Sequence, residues 1–317
     1  ENSILSERLI QKLKKLNILE IKIYSQSHQS QEIISTNHSQ KFENQYKENI
    51  EVVKEVLHDI STGKNISIQK TGVVVDSVFT RISENRDIVG CITEIRNVDE
   101  YTYTHSMNVS LLCMLIGKWM KYSEDKIKMI IQAGLLHDIG KAKIPVEILD
   151  KPGKLTEDEY EEMKKHPVYG FRIAEKVPEI SKEICMGILM HHERNDGTGY
   201  PVGLKGSRIH EFAKIIAVAD IYDAMTSNRV YRTKDTPFDV FELMENGSFG
   251  QLDPVIIKTF LSNIAAYYIG DWVKLSNGEI GEIIYINSLH ISQPIVRVGD
   301  SYKDLSMEKG LKIQELL

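Results

Sequence analysis

Ile130-Ile131-Gln132-Ala133-Gly134-Leu135-Leu136-His137-Asp138-Ile139-Gly140-Lys141 is the stretch on which the fold turns. Six of its first seven residues are apolar or small, all but Gln132, so they read as a buried helix. Imidazole and carboxylate then follow side by side, where that helix gives way to a glycine-bearing loop. Both groups ligate first-row transition metals, and an aspartate bridges two ions while its neighbour holds one of them. A His-Asp pair in this position marks a metal centre only if other ligands accompany it; an isolated pair is more often a satisfied helix end.

Company is present. Five of the ten histidines, His105, His137, His166, His191 and His192, fall in one span. Asp220 follows within Ile215-Ile216-Ala217-Val218-Ala219-Asp220-Ile221-Tyr222-Asp223-Ala224-Met225, a run that reads as a second buried helix. An ionised carboxylate there requires a cation or a dense set of donors, because burying it unpaired costs several kcal/mol or more.

Composition bounds the remainder. The 317 residues are 42% hydrophobic and 26% charged, which suits a globular chain of two or three compact units. A net charge of -6 argues against a DNA or RNA duplex as partner, since sequence-independent binding needs a basic face. Cys91, Cys113 and Cys185 are scattered and odd in number, as expected of reduced, packed thiols in a cytoplasmic protein. No apolar run approaches the roughly 20 residues needed to span a bilayer, and no signal peptide is visible.

Periodicity divides the chain into four parts. Residues 1–40 read as a partial α/β segment, a helix over 3–16 and a strand over 18–24, followed by a Ser/Gln/His-rich linker from 25 to 40. Residues 41–98 form a helical connector, with helices over 42–60, 73–82 and 87–98. Residues 99–268 carry the histidines on successive helices, one over 99–122, another opened by Ser123, and a third opened at Thr156 by a capping box with Glu159. Further helices cover 179–190, the Asp220 run, 237–245 and 254–268, and a glycine-rich loop over 195–206 follows His191-His192. Residues 269–317 form a small β appendage, with a hairpin around Ser276-Asn277-Gly278 and a third strand over 294–298. The fold class is therefore mainly α, with an N-terminal α/β remnant and a C-terminal sheet.

The ordered set His105, His137-Asp138, His166, His191-His192 and Asp220, with His137-Asp138-Ile139-Gly140-Lys141 and the run His191-His192-Glu193-Arg194-Asn195-Asp196-Gly197-Thr198-Gly199-Tyr200-Pro201, resembles HD-domain metal phosphohydrolases. Within them it looks like the HD-GYP subfamily, whose members hydrolyse cyclic di-GMP. The resemblance implies an HD-domain helical bundle and two divalent transition-metal ions, iron or manganese. One would be held by His105, His137, Asp138 and Asp220, the other by Asp138, His166, His191 and His192. It further implies a hydroxide formed between the two ions that attacks phosphorus.

Carried onto this chain, Asp138 and Lys141 are catalytic, and Lys141, Gly199, Tyr200, Arg229 and Arg232 contact the substrate. Some members place a glutamate four residues before the first histidine for a third metal; here that residue is Tyr101, so two metals are expected. The resemblance implies hydrolysis of cyclic di-GMP to pGpG, and leaves open whether it continues to GMP. Cyclic GMP-AMP or pGpG as substrate, and a non-catalytic cyclic di-GMP sensor, are the alternatives. A homodimer through the helices before Asp99 is also expected.

Overall fold

The computed structural model describes residues 28–82, 101–227, 236–246 and 251–317. The expected helices over 3–16 and 87–98, the strand over 18–24, Cys91, Arg229 and Arg232 lie outside the described residues. The chain divides into two units, 1–38 and 39–317.

The first helix, α1, spans His28–Ser61, so from His28 onward the expected linker is helix. Polarity alone does not stop a helix. No glycine or proline occurs between His28 and Ser61, and Gln, Glu and Lys are good helix formers. The apolar face of the same helix buries Tyr46, Ile50, Val53, Val56 and Ile60. Helix α2 (Ile68–Asp76) starts five residues before the expected position, because the Ser67 side chain accepts from the Lys70 amide. A π-turn over Ser77–Ile82 closes it.

Helices α3 (Tyr101–Trp119) and α4 (Glu124–Leu136) are the centre of the bundle. Residues 104–117 of α3 are buried on every side, so this helix has no solvent face, and its polar residues, His105 and Asn108 among them, lie inside the bundle. Ser123 caps α4, with Glu124 and Asp125 in the first turn where the helix dipole favours negative charge. Gly134 permits close packing of the pair: a Cβ there would stand 3.0 Å from Cys113 Sγ and 3.3 Å from Ser110 Cα.

After α4 come a 3₁₀ turn over Ile139–Lys143, then α5 (Val146–Leu149), α6 (Glu157–Met163), α7 (His166–Ala174) and α8 (Lys182–Met190). The capping box at Thr156 and Glu159 is formed. Helix α9 (Glu211–Thr226) packs on α3 and α8, and α10 (Pro237–Asn246) and α11 (Pro254–Ile264) complete the helical part. Cys113 and Cys185 are free and buried, as expected. Among the described residues no helix is long and apolar enough to cross a membrane.

The C-terminal sheet has five antiparallel strands, β1 (Trp272–Leu275), β2 (Ile280–Asn287), β3 (His290–Val298), β4 (Ser301–Asp304) and β5 (Ile313–Leu316), in the order β4-β3-β2-β1-β5. Gly278, at φ 88°, makes the β1–β2 turn. The expected third strand is the end of β3. Strands β4 and β5 were not legible because four residues with little apolar alternation become strands only by pairing at the sheet edges.

Candidate metal centre

Each predicted ligand sits where a helix begins, ends or faces the bundle interior. His137 is the residue after α4, His166 is the first of α7, and His191 follows α8. In all three the ring Nδ1 donates to the carbonyl three residues earlier: Gly134 at 2.7 Å, Met163 at 2.8 Å and Ile188 at 2.7 Å. A carbonyl only accepts, so Nδ1 carries the proton and Nε2 presents a lone pair. His105, on α3, is held in the same sense by Asp223, whose carboxylate lies 2.8 Å from its Nδ1. Four imidazoles are thus oriented with Nε2 inward.

Asp138 stands among them. Its Oδ1 lies 3.3 Å from His166 Nε2 and 3.9 Å from His191 Nε2, while its Oδ2 lies 3.2 Å from His137 Nε2 and 3.8 Å from His105 Nε2. Asp220 Oδ1 is 3.2 Å from His105 Nε2. Two groups that could each hold a metal ion result, His105 with His137 and Asp220, and Asp138 with His166, His191 and His192.

The donor set fits a divalent cation. His166 Nε2 and His191 Nε2 face each other at 3.2 Å, and with both protons on Nδ1 this is a meeting of two lone pairs. His137 Nε2 and Asp138 Oδ1 are buried without a hydrogen-bond partner. Buried acceptors crowded together are costly unless a cation satisfies them, and imidazole with carboxylate is a transition-metal donor set.

Electrostatics divide the ligands. Burial, together with neighbouring imidazoles, holds His191 well below the ordinary histidine range, and burial takes His192 down to about 3, so both are neutral and ready to ligate. Burial also disfavours the charged form of His105, but Asp220 and Asp223 outweigh it and lift the ring to about 9. Burial opposes ionisation of Asp138 and Asp220 as well. The surrounding histidines, with Lys141 for Asp138, overcome it and keep both carboxylates ionised.

Lys141, partly exposed, donates to Asp138 Oδ2 at 2.6 Å. Gly140 is required between them: a Cβ there would fall 1.9 Å from the His166 carbonyl oxygen, so this close approach seats the turn on α7. The Tyr200 ring lies over His192 at 4.7 Å between centroids, inclined 30°. Gly199 packs against its own loop, where a Cβ would meet the Arg194 nitrogen and the His192 carbonyl at 2.4 Å.

Two residues without a predicted role prove important to the geometry. Asp223 orients His105; its signal was a second acid three residues after Asp220, on the same helical face. Glu193 is buried, and its carboxylate accepts from the amides of Val202 at 2.8 Å, Gly203 at 3.2 Å and Leu204 at 2.8 Å. It shapes the loop that carries Tyr200. Only its apparent polarity was visible in the sequence.

Residues 91–256 match the HD domain family. The chain is similar to the cyclic di-GMP phosphodiesterase PA4108 of Pseudomonas aeruginosa, 32% identical over 246 residues, covering 78% of this chain and 59% of that protein. It is also similar to the 3'3'-cGAMP-specific phosphodiesterase 1 of Vibrio cholerae, 36% identical over 170 residues, covering 53% of this chain and 39% of that one. The chain therefore spans less than two thirds of either relative. Among solved structures, Bd1817, a HDG"Y"P protein from Bdellovibrio bacteriovorus, shares the fold with a TM-score of 0.59 at 16% identity, over 80% of this chain and 77% of that one.

Proposed function

Because the chain belongs to the HD-domain family, we propose that it is a metal-dependent phosphodiesterase that hydrolyses cyclic di-GMP to pGpG, with GMP as a further product. The observation that carries this reading is the division of Asp138, one carboxylate oxygen toward His166 and His191, the other toward His137 and His105. A carboxylate so placed is suited to bridge two cations. In this reading His105, His137, Asp138 and Asp220 hold one divalent ion, and Asp138, His166, His191 and His192 hold the other. Iron or manganese suits these donors, and Tyr101 in place of a glutamate limits the count to two.

When bound, such ions supply Lewis acidity, which neutralises phosphoryl charge and makes water acidic enough to act near neutral pH. The chain's own groups do the rest. Asp138 is catalytic as the shared carboxylate. The Lys141 ammonium stabilises charge on the phosphoryl group or leaving oxygen, and its present bond to Asp138 holds it at the site. Tyr200 and the Gly199 backbone border the substrate, with the Tyr200 ring held by its stacking on His192. Arg229 and Arg232 grip phosphate or guanine through guanidinium forks.

We assign the catalytic domain to 99–268, the connector to 41–98, the N-terminal segment to 1–40 and the β appendage to 269–317. A cytoplasmic homodimer through the helices before Asp99 completes the proposal. The Vibrio relative's specificity supports one second reading, a 3'3'-cGAMP hydrolase.

The test is turnover by protein loaded anaerobically with iron or with manganese. Cyclic di-GMP and 3'3'-cGAMP are offered separately, products are resolved by chromatography, and Asp138→Ala is run alongside. Cyclic di-GMP cleavage that requires Asp138 is expected. Cleavage of 3'3'-cGAMP alone would shift the assignment to that nucleotide, and tight binding without any cleavage would favour a sensor.

A further inference from the structure

A chain of polar groups runs through the core from α1 to the metal centre. The Tyr46 hydroxyl, on α1, donates to Asn108 Oδ1 at 2.8 Å. Asn108 Nδ2 donates to Asp223 Oδ1 at 3.0 Å, and Asp223 Oδ2 lies 2.8 Å from His105 Nδ1. Tyr46 is 1% exposed, Asn108 2%, Asp223 0% and His105 4%, so water competes for none of these bonds. Apolar residues would fill the same space without the desolvation that four polar groups incur. A continuous line of four such groups through a largely apolar core points to a role beyond packing.

The bonds are directional. Asp223 as a carboxylate only accepts, so it fixes the Asn108 amide with nitrogen toward α9 and oxygen toward α1. The tyrosine hydroxyl is the donor that this oxygen receives. Without it, the amide keeps only its bond to Asp223, its Oδ1 loses the Tyr46 donor, and the side chain that supports the Asp223 carboxylate is held less firmly. Asp223 is the group that fixes the His105 ring and keeps its Nε2 inward. Outer partners of this kind tune a ligand's orientation and basicity.

We propose that Tyr46 and Asn108 are positioning residues for the metal centre, and that the placement of α1 is transmitted to His105 through the buried relay Tyr46–Asn108–Asp223. The inference rests on the metal-centre reading above. It goes beyond it by giving α1 a function: a shift of that helix that withdraws the Tyr46 hydroxyl weakens the ligand group His105, His137 and Asp220, with no contact between α1 and a metal.

The experiment titrates the metal-stripped full chain with Co²⁺ and follows its visible ligand-field absorption, which reports the donors around the ion rather than turnover. Wild type, Tyr46→Phe, Asp223→Asn and Tyr268→Phe are compared, each with its melting temperature. Tyr268→Phe is the packing control, since it removes a buried hydroxyl pair with Tyr222 (2.8 Å) that is not part of the relay.

In wild type two binding steps are expected. Tyr46→Phe should weaken one of them by about 10-fold and leave the other unchanged, while Asp223→Asn weakens the same step by about 10- to 100-fold. Tyr268→Phe should change the melting temperature alone. Two unaltered Co²⁺ steps in Tyr46→Phe would overturn the relay while leaving the metal centre standing. A wild type that binds no Co²⁺ would overturn both.

Discussion

At the scale of the residue, the centre depends on which nitrogen of each histidine carries the proton. The carbonyls of Gly134, Met163 and Ile188 set this at three positions, and Asp223 sets it at a fourth. The candidate ligands themselves were legible, because five histidines and two aspartates recur in the order of a family pattern and the structure brings them together. Their orienting partners were not: a backbone carbonyl has no signature in sequence, and Asp223 reads as one more acid. Glu193 is similar. It follows two ligands, yet its task is to accept three loop amides. Glu193→Gln replaces one acceptor oxygen with a donor and leaves at least one buried amide unsatisfied, at a cost of about 1–3 kcal/mol. Thermal denaturation should show a melting temperature lower by several degrees, with impaired turnover; unchanged melting would mean that the loop is held by other contacts.

At the scale of the element, helix ends do most of the positioning. Helix α9 carries Asp220 and Asp223, and its first residue, Glu211, is tied back to the corner between α3 and α4. Lys126 donates to Glu211 at 2.6 Å, Tyr122 donates to its other oxygen, and the Lys126 ammonium lies 3.7 Å from the centre of the Tyr122 ring. Burial disfavours the Glu211 carboxylate, but Lys126 and Tyr122 outweigh it and hold the group below its ordinary value of 4.5. A depressed folded-state value adds stability above the unfolded value, and that stability is lost as pH falls through the folded value. Glu211→Gln should therefore melt below wild type at pH 7, with the gap closing in acid. Partial exposure and screening limit the difference to about 0.2–1 kcal/mol. A gap that stays constant with pH would show that the ion pair does not contribute.

The β appendage is attached by a comparable device. Glu245, on α10, accepts from the amides of Ile291 at 3.0 Å and Ser292 at 3.3 Å, and from the Ser292 hydroxyl at 2.6 Å. Lys312, just before β5, pairs with Glu242 at 2.7 Å. Sequence periodicity indicated both α10 and the first strands, but not this contact, since acids on a helix face ordinarily read as solvated.

At the scale of the molecule, the bundle gathers candidate ligands from five stretches, beginning at α3 and ending at α9, around Asp138. Crowding several buried acceptors and carboxylates is unfavourable until a cation is bound, so metal binding and folding are linked. Stripping the protein with a chelator should lower its melting temperature, and restoring the divalent ion should recover it. With free ion at 100 times its dissociation constant, one site adds about 2.7 kcal/mol, and less if the unfolded chain also binds. Equal melting of the stripped and reloaded forms would argue that the histidine groups do not hold metal in the folded protein.

The sequence by itself determined that this chain is mainly helical, which histidines and aspartates are its candidate metal ligands, and that its C-terminus turns to strand. These follow from hydrophobic period, capping chemistry and ligand identity, which are local or additive along the chain. Only the tertiary structure decided that each oxygen of Asp138 serves a different group, that Gly140 is needed where α7 approaches, and that Tyr46 reaches His105 through Asn108 and Asp223. These are contacts between residues far apart in the chain. Their physics lies in distance, orientation and the exclusion of water, and none of those exists until the helices pack.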